Sequence, residues 1–141
     1  MNYLLATNVV SEIRKGHRCH ANVARWYESV AGGDLFLSVL VVGELRKGIE
    51  RIRAKDAAQA KALEKWLAGL GDQFRERVLP IDLIVADEWG RMNAIRPLPV
   101  MDGLLAATAK VHSMILVTRN TPDVAGLNVT LLNPFERLER S

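Results

Sequence analysis

The sequence predicts an α/β fold, an α/β/α sandwich with a central parallel sheet of four to five short strands. Short apolar runs of strand length alternate with longer segments of helical composition along the chain. This alternation is typical of a parallel sheet whose faces are covered by helices. The 141 residues suffice for one domain with a core and are too few for two. We therefore expect a single domain over residues 1–141.

Two kinds of local signal place the elements. Strands are predicted where short apolar runs stand between turn or cap residues, at residues 3–5, 35–37, 78–79, 114–117 and 129–132. Helices are predicted where apolar residues recur at helical spacing or strong helix formers cluster, at residues 7–16, 21–31, 38–52, 57–70, 82–96 and 99–112.

The helix boundaries follow from residues that favour them. Thr7 or Asn8, Ser38 and Asp82 have side chains that can accept a hydrogen bond from the first N–H groups of a helix. Pro97 ends the preceding helix, because the residue before a proline avoids the helical conformation.

Composition and charge exclude some classes of protein and leave others open. The net charge of +3 and the pI of about 9.3 are compatible with an RNA substrate, but the basic residues are spread out and most are expected on solvated helix faces. No apolar run approaches the ~20 residues that span a bilayer, and the N-terminus has no signal-peptide pattern. Cys19 is the only cysteine, which excludes an internal disulfide and favours the reducing cytoplasm.

Two acidic residues stand out as candidates for chemistry. In open α/β sheets, ligands bind beyond the carboxyl ends of the strands. Glu44 and Asp102 fall near such ends, and each is surrounded by apolar residues. An unpaired buried carboxylate is costly, and a divalent cation removes that cost. Mg²⁺ prefers oxygen ligands and keeps several waters, one of which it can activate.

Each candidate also has a simpler explanation when it is taken alone. Glu44 fits a partly exposed helix position, and Asp102 favours the N-terminus of its helix electrostatically. Asn120 and Asp123 flank Thr121-Pro122 and fit an ordinary turn.

Five blocks of the sequence resemble PIN-domain ribonuclease toxins of the VapC type, in particular their FitB-like branch. The blocks are YLLATNVVSE (3–12), LSVLVVGELRKGIE (37–50), LPVMDGLLAATA (98–109), LVTRNTPD (116–123) and LLNPF (131–135). One block alone would be weakly specific. Together they occur in the order of the family and cover nearly the whole chain.

The resemblance implies a small PIN-like α/β/α sandwich with Mg²⁺- or Mn²⁺-dependent endoribonuclease activity. It implies that Glu44, Asp102 and Asp123 are metal-binding carboxylates. Asn120 occupies a position where other branches often carry another acid.

Three further polar residues belong to the site that the resemblance implies. Thr7 and Asn8 would line it, and Thr7 or Thr118 would orient ligands or water.

The resemblance also implies partners. The chain would be the toxin of a type II toxin–antitoxin pair and would cut RNA of the tRNA or rRNA class. Its VapB-like antitoxin would combine a DNA-binding N-terminal part with a C-terminal segment that wraps the toxin and blocks the site. A homodimer is expected, within a larger assembly that the antitoxin attaches to operator DNA.

The chain departs from the family at position 6, where the family has a metal-binding aspartate and this chain has Ala6. We interpret Ala6 as a deliberate Asp→Ala substitution, because the other site positions are intact and an active toxic nuclease is hard to express. The alternative is that Ala6 is native in a degenerate relative. Loss of an outer partner of a metal site costs about 10–100-fold in affinity or activity, and loss of a ligand is expected to cost at least that.

Two functions therefore remain open at this stage. The first is a metal-dependent ribonuclease toxin that is impaired in this copy. The second is a naturally non-catalytic PIN-fold binding protein that acts as an antitoxin partner or co-regulator. A phosphotransferase or receiver domain is disfavoured, because those sites also need an acid after the first strand.

Overall fold

The N-terminal strand forms the centre of a five-stranded parallel sheet. The computed structural model describes residues 1–137. The strands are β1 (Tyr3–Leu5), β2 (Leu35–Ser38), β3 (Val78–Leu79), β4 (Ile115–Val117) and β5 (Leu131–Leu132). Their order in the sheet is β3-β2-β1-β4-β5. In the register of the sheet, Tyr3 lies opposite Leu35 on one side and opposite Ile115 on the other.

Helices connect the strands, as a parallel sheet requires. Within residues 1–137 the α-helices are α1 (Thr7–Ile13), α2 (Ala21–Ser29), α3 (Val39–Arg53), α4 (Ala57–Phe74), α5 (Leu83–Ile95), α6 (Val100–Val111) and α7 (Thr121–Val124). Helix α3 packs on α4, and α5 packs on α6. The predicted α/β fold with a central parallel sheet is thus confirmed.

Several helix starts follow the predicted caps. The Ser38 hydroxyl accepts a hydrogen bond from the Leu40 N–H at 3.1 Å, and the Asp82 carboxylate accepts one from the Val85 N–H at 3.0 Å. The start of α1 differs, because Ala6 is its N-cap residue and provides no side-chain cap.

Other boundaries depend on tertiary packing. Helix α4 continues past Leu70 to Phe74, because Phe74 is itself buried in the core. Strand β5 is shorter than predicted, and only Leu131 and Leu132 pair with β4. Helix α7 replaces the predicted turn, since Pro122 is compatible with the first turn of a helix.

The core lies around β1. Leu4 and Leu5, whose side chains point to opposite faces of the sheet, are both almost completely buried. Burial on both faces is expected of a central parallel strand. In the part of the chain that the structure describes, no helix combines the length and apolar character needed to span a membrane.

The order of the strands creates a crevice at one edge of the sheet. From the central strand β1 the chain builds outward through β2 and β3 on one side, and β4 and β5 occupy the other side. The connection that follows β1 runs toward one side of the sheet, and the connection that follows β4 runs toward the other. The two connections therefore diverge beyond the carboxyl ends of β1 and β4. Such a switch point is where ligands bind in open α/β sheets.

Helices α5 and α6 come close at Gly103, the residue after Asp102. A Cβ atom at position 103 would lie 3.1 Å from Trp89 Nε1 and 3.3 Å from Leu98 Cβ. Those distances are shorter than normal contacts, so glycine is needed there for space. Gly90 lies on α5, and a Cβ atom added there would have no neighbouring atom within 4 Å.

We predict that Gly103→Ala destabilises the protein and that Gly90→Ala does not. Alanine is better than glycine within a helix by about 1 kcal/mol, but overpacking typically costs about 1–3 kcal/mol. The free energy of unfolding, measured in urea, is therefore expected to fall by roughly 1 kcal/mol for Gly103→Ala and to rise for Gly90→Ala. A rise of similar size in both variants would contradict the close approach of Trp89.

Candidate active site

A cleft of about 330 Å³ opens at the switch point of the sheet. It is lined by Ala6, Thr7, Asn8, Glu44, Met101, Asp102, Leu105 and Asn120. Parallel strands bring their carboxyl ends to one edge, and the helix that leads back to the next strand begins at that edge. Residues far apart in sequence therefore meet in one cleft.

Ala6 lies where β1 ends and α1 begins. Its N–H donates to the Val117 carbonyl at 2.9 Å, and its own carbonyl accepts from the N–H groups of Val9 and Val10, each at 3.1 Å. Ala6 is 4% exposed and forms part of the cleft wall. All these bonds use main-chain atoms, so the path of the backbone at position 6 does not depend on the side chain.

Asn8 connects the start of α1 to the loop after β4. Its Oδ1 accepts a hydrogen bond from the Arg119 N–H at 3.2 Å, and its Nδ2 donates to Thr118 Oγ1 at 3.5 Å. Thr118 Oγ1 also accepts from the Asn120 N–H at 3.1 Å. These bonds set the position of Asn120 in the cleft wall.

The Thr118 side chain is almost completely buried, at 3% exposure, and it lies outside the set of residues that line the cleft. Its hydroxyl binds the loop. Of the two threonines in the sequence analysis, Thr7 is the one that the structure places in the cleft wall.

Asp102, in the cleft wall, has Asp123 as a neighbour, because α7 packs against α6. Asp102 lies in the first turn of α6, and Asp123 lies in α7. Partial burial raises the pKa of the Asp102 carboxyl above its ordinary value, and the neighbouring Asp123 carboxylate raises it further by charge repulsion and hydrogen bonding. The partly buried Asp102 and the exposed Asp123 therefore concentrate negative charge where α6 meets α7.

Glu44 lies in α3, in another part of the cleft wall. Among residues 1–137, no three His, Cys, Asp or Glu side chains form one compact metal-binding group, so Glu44 is not clustered with the Asp102–Asp123 pair. Arg46 does not serve as its counter-ion, because Arg46 pairs with Glu50 and Glu64 at 3.3 and 2.7 Å.

The donor atoms in the cleft fit a hard divalent cation. Carboxylate, amide and hydroxyl oxygens are the ligands that Mg²⁺ and Mn²⁺ prefer. The ion pairs formed within residues 1–137 include none to Glu44, Asp102 or Asp123. A cation between Asp102 and Asp123 would relieve their repulsion, and Mg²⁺ commonly binds through one or two carboxylates and several waters.

A groove leads away from the cleft between α1, α3 and α4. A pocket of about 160 Å³ shares Thr7 and Glu44 with the cleft. It shares Arg14 and Trp66 with another pocket of about 200 Å³. The Arg14 guanidinium lies 5.8 Å from the centre of the Trp66 ring.

Sequence reasoning missed two features of this site. The hydrogen bonds of Asn8 join the ends of β1 and β4, which are neighbours in the sheet, but they link residues that are 110 and 111 positions apart in sequence. No local sequence pattern reveals them. Arg96, which binds the segment that carries Asp123, could not be distinguished from the other scattered basic residues.

We predict that Asp102→Asn stabilises the metal-free protein near neutral pH. A carboxyl group whose pKa is raised by folding contributes most to stability below its unfolded pKa of about 3.9, and this contribution is lost as pH rises through the raised pKa. The neutral amide avoids that loss. The unfolding midpoint of the variant is expected to exceed that of the parent at pH 7 and to approach it near pH 3.5.

Asp87→Asn provides the matched control, because Asp87 is an exposed carboxylate paired with Arg91 at 2.6 Å. Its loss is expected to lower stability slightly at pH 7, by no more than about 0.5 kcal/mol. Destabilisation by Asp102→Asn at every pH would argue against repulsion within the acid pair.

The chain matches known proteins over most of its length. A family model described as the PIN domain matches residues 3–122. The chain is 32% identical over 139 residues to the toxin FitB of Neisseria gonorrhoeae, covering 94% of this chain and 97% of that protein. It is 30% identical over 139 residues to the VapC ribonuclease Y4jK of Sinorhizobium fredii, covering 94% of this chain and 97% of that protein.

Solved structures agree with this relationship. The structure of FitAB bound to a DNA fragment contains a chain that is 30% identical, with a TM-score of 0.87 and coverage of 98% of both chains. A crystal structure of FitAcB from Neisseria gonorrhoeae matches with a TM-score of 0.86 at 30% identity, covering 94% of this chain and 98% of that one. This protein therefore belongs to the PIN-domain family, among the VapC-type toxins that are similar to FitB.

Proposed function

We propose that this protein, as a single PIN domain over residues 1–141, is the divalent-metal-dependent endoribonuclease of a toxin–antitoxin pair. We propose further that Ala6 leaves this copy inactive or strongly impaired. The observation that carries the proposal is the Asp102 carboxylate, with Asp123 as its neighbour, in the wall of a cleft that also presents Thr7, Asn8, Glu44 and Asn120 at the switch point of the sheet. Two relatives that are ribonucleases, the VapC ribonuclease Y4jK and ribonuclease VapC14 of Mycobacterium tuberculosis, support the nuclease class.

Asp102 and Asp123 would hold the Mg²⁺ or Mn²⁺ ion directly. Glu44, the third proposed metal-binding carboxylate, is separated from that pair and would bind the ion through water, because Mg²⁺ keeps several of its waters. When bound, the ion would supply a water of lowered pKa and would stabilise negative charge on a phosphoryl group. Asn120 and Thr7, both in the cleft wall, would orient the RNA phosphate and water by hydrogen bonding.

Asn8 and Thr118 would act on this chemistry through the loop that they bind. Asn8 lines the cleft but directs its carboxamide to the Arg119 N–H and the Thr118 hydroxyl. Thr118 in turn binds the Asn120 N–H. Together these two side chains would keep Asn120 and the start of α7 in place.

Ala6 explains the expected loss of activity. Its Cβ lines the cleft, and an aspartate there would add a carboxylate on the same wall as Thr7 and Asn8. An aspartate would also suit the N-cap position of α1, where its carboxylate could accept a main-chain hydrogen bond. The cleft as it stands has fewer charged ligands than the family site.

The partners that we propose are a VapB-like antitoxin and RNA of the tRNA or rRNA class. We also propose a homodimer that assembles with the antitoxin on operator DNA. The names of several structural matches support an antitoxin partner, because they describe FitAB or VapBC complexes, some of them bound to DNA. The groove that begins at Thr7 and Glu44 suits an antitoxin segment that ends at the cleft. Cytoplasmic action is proposed because the RNA substrate is there.

A non-catalytic binding protein is the second candidate. It is favoured by Ala6 and by the separation of Glu44 from the acid pair. In that case the chain would bind the antitoxin and contribute to regulation without cutting RNA.

We predict that Ala6→Asp increases RNA cleavage by at least about 10–100-fold, because it restores a charged metal ligand. Cleavage of total RNA by the antitoxin-free protein would be measured with Mg²⁺ or Mn²⁺, and EDTA is expected to abolish it. Ala6→Asn is the matched control, since it has nearly the same size without the charge. If neither Ala6→Asp nor the parent cleaves RNA, the binding-protein function is favoured. Equal cleavage by both would contradict a ligand at position 6.

We predict a second loss when either acid of the pair is neutralised in the Ala6→Asp background. Asp102→Asn and Asp123→Asn are each expected to lower cleavage by about 100-fold or more, because each removes a proposed ligand rather than an outer partner. The exposed Asp87→Asn is expected to change cleavage by less than about twofold. Full activity in Asp123→Asn would remove Asp123 from the proposed site.

A further inference from the structure

Arg96 links the end of α5 to the short helix α7. Its Nη1 donates a hydrogen bond to the Asp123 carbonyl at 3.1 Å, and its Nη2 donates to the Ala125 carbonyl at 2.7 Å. Both carbonyls lie at the C-terminal end of α7, where a helix leaves carbonyl groups without internal partners and favours a positive charge. Arg96 therefore binds the segment that carries Asp123.

Helix α7 has few other attachments. It has only four residues, and Val124, which is 1% exposed, is its only buried side chain. The Asp123 N–H donates to the Asn120 carbonyl at 3.1 Å, which closes a single turn. A helix this short is not stable by itself, so its position depends on contacts with the rest of the protein.

The backbone around Arg96 is itself well fixed. The Arg96 N–H donates to the carbonyl of Met92, a completely buried residue. Pro97 follows directly and restricts Arg96 to an extended conformation. Two residues later, the Leu98 N–H donates to Asn93 Oδ1 at 2.9 Å. The guanidinium therefore extends from a stiff connection that also leads into α6, the helix that carries Asp102.

The guanidinium binds the main chain of α7 and leaves the Asp123 carboxylate free. None of the ion pairs formed within residues 1–137 involves Arg96. Helix α7 packs against α6, so the like charges of Asp123 and Asp102 are neighbours at this contact. Without a tether, α7 could relieve their repulsion by moving away from α6. The two bonds from Arg96 oppose this movement.

We propose that Arg96 is a positioning residue of the metal site, which holds Asp123 beside Asp102 through its bonds to the Asp123 and Ala125 carbonyls. This inference rests on the proposed function, because it assumes that the acid pair binds a divalent cation. In this role Arg96 would act on the cation only through the main chain that carries Asp123.

The test is the affinity for Mn²⁺, measured by the relaxation of water protons. It compares the parent with Arg96→Met, Arg96→Lys and Arg91→Met. The same four proteins are then measured with Ala6→Asp added to each. Arg96→Met is expected to weaken Mn²⁺ binding by about 10-fold, the lower end of the effect of losing an outer partner. Arg96→Lys, which lacks the two-pronged donor, is expected to give a smaller loss. Arg91→Met controls for the loss of one positive charge, because Arg91 lies exposed on α5, the helix that ends before Arg96, and pairs with Asp87 and Glu88 instead of with α7.

The sign of the change separates positioning from simple charge. Removal of a positive charge near two carboxylates would strengthen the binding of a cation if nothing moved. Weaker binding by Arg96→Met, with the circular dichroism of the folded parent retained, therefore supports displacement of Asp123. If Arg96→Met does not fold, Arg96→Lys takes its place in the comparison.

Each other outcome overturns a defined part of the argument. Unchanged or tighter Mn²⁺ binding in the folded Arg96 variants overturns the positioning role and leaves the metal site intact. Equal weakening by Arg91→Met also overturns it, since a general effect of charge or stability would then suffice. If neither the parent nor Ala6→Asp binds Mn²⁺, the metal site itself is wrong, and the proposed function fails with it.

Discussion

The parallel pairing of β1 with β4 is the constraint on which the rest of the structure depends. The register places Leu5 opposite Val117, so the chain leaves both strands at the same level. The Ala6 N–H then binds the Val117 carbonyl, which extends the pairing by one more bond. Because the two connections diverge from this point, the loops after β1 and β4 form opposite parts of one cleft. Burial of Leu4 and Leu5 at the centre of the core stabilises this arrangement.

The cleft combines a stable scaffold with an electrostatic conflict. Asp102 lies in the first turn of a long, well-packed helix, whereas Asp123 lies on a single turn. Two neighbouring like charges would separate if both were mobile. Hydrogen bonds that involve the main chain at both ends of α7 oppose this separation and leave the carboxylates free: the Arg96 guanidinium donates to carbonyls at its end, and the Asn120 N–H at its start donates to Thr118 Oγ1. The fold thus supplies the energy that keeps the acids close.

The features that could be predicted from the sequence are those with local causes. Caps such as Ser38 and Asp82 act within three residues, and the alternation of strands and helices determines a parallel sheet. The common edge of the sheet then brings Glu44 and Asp102 to one cleft. The contact between Asp102 and Asp123 was implied only by family resemblance, because it depends on how a four-residue helix is attached. The role of Arg96 arises from tertiary hydrogen bonds that leave no periodic pattern, and the extension of α4 to Phe74 arises from core packing.

The main-chain bonding of Ala6 has a consequence for how such proteins can be distinguished. Every hydrogen bond at this position belongs to the backbone, and Ala6 forms part of the cleft wall. Copies that differ only at position 6 would therefore superimpose in their chain paths while differing in the charge of the cleft. A comparison of backbones would therefore not separate such copies. Only the side chain at position 6 would distinguish the copies that can carry out the chemistry from those that keep the fold without it.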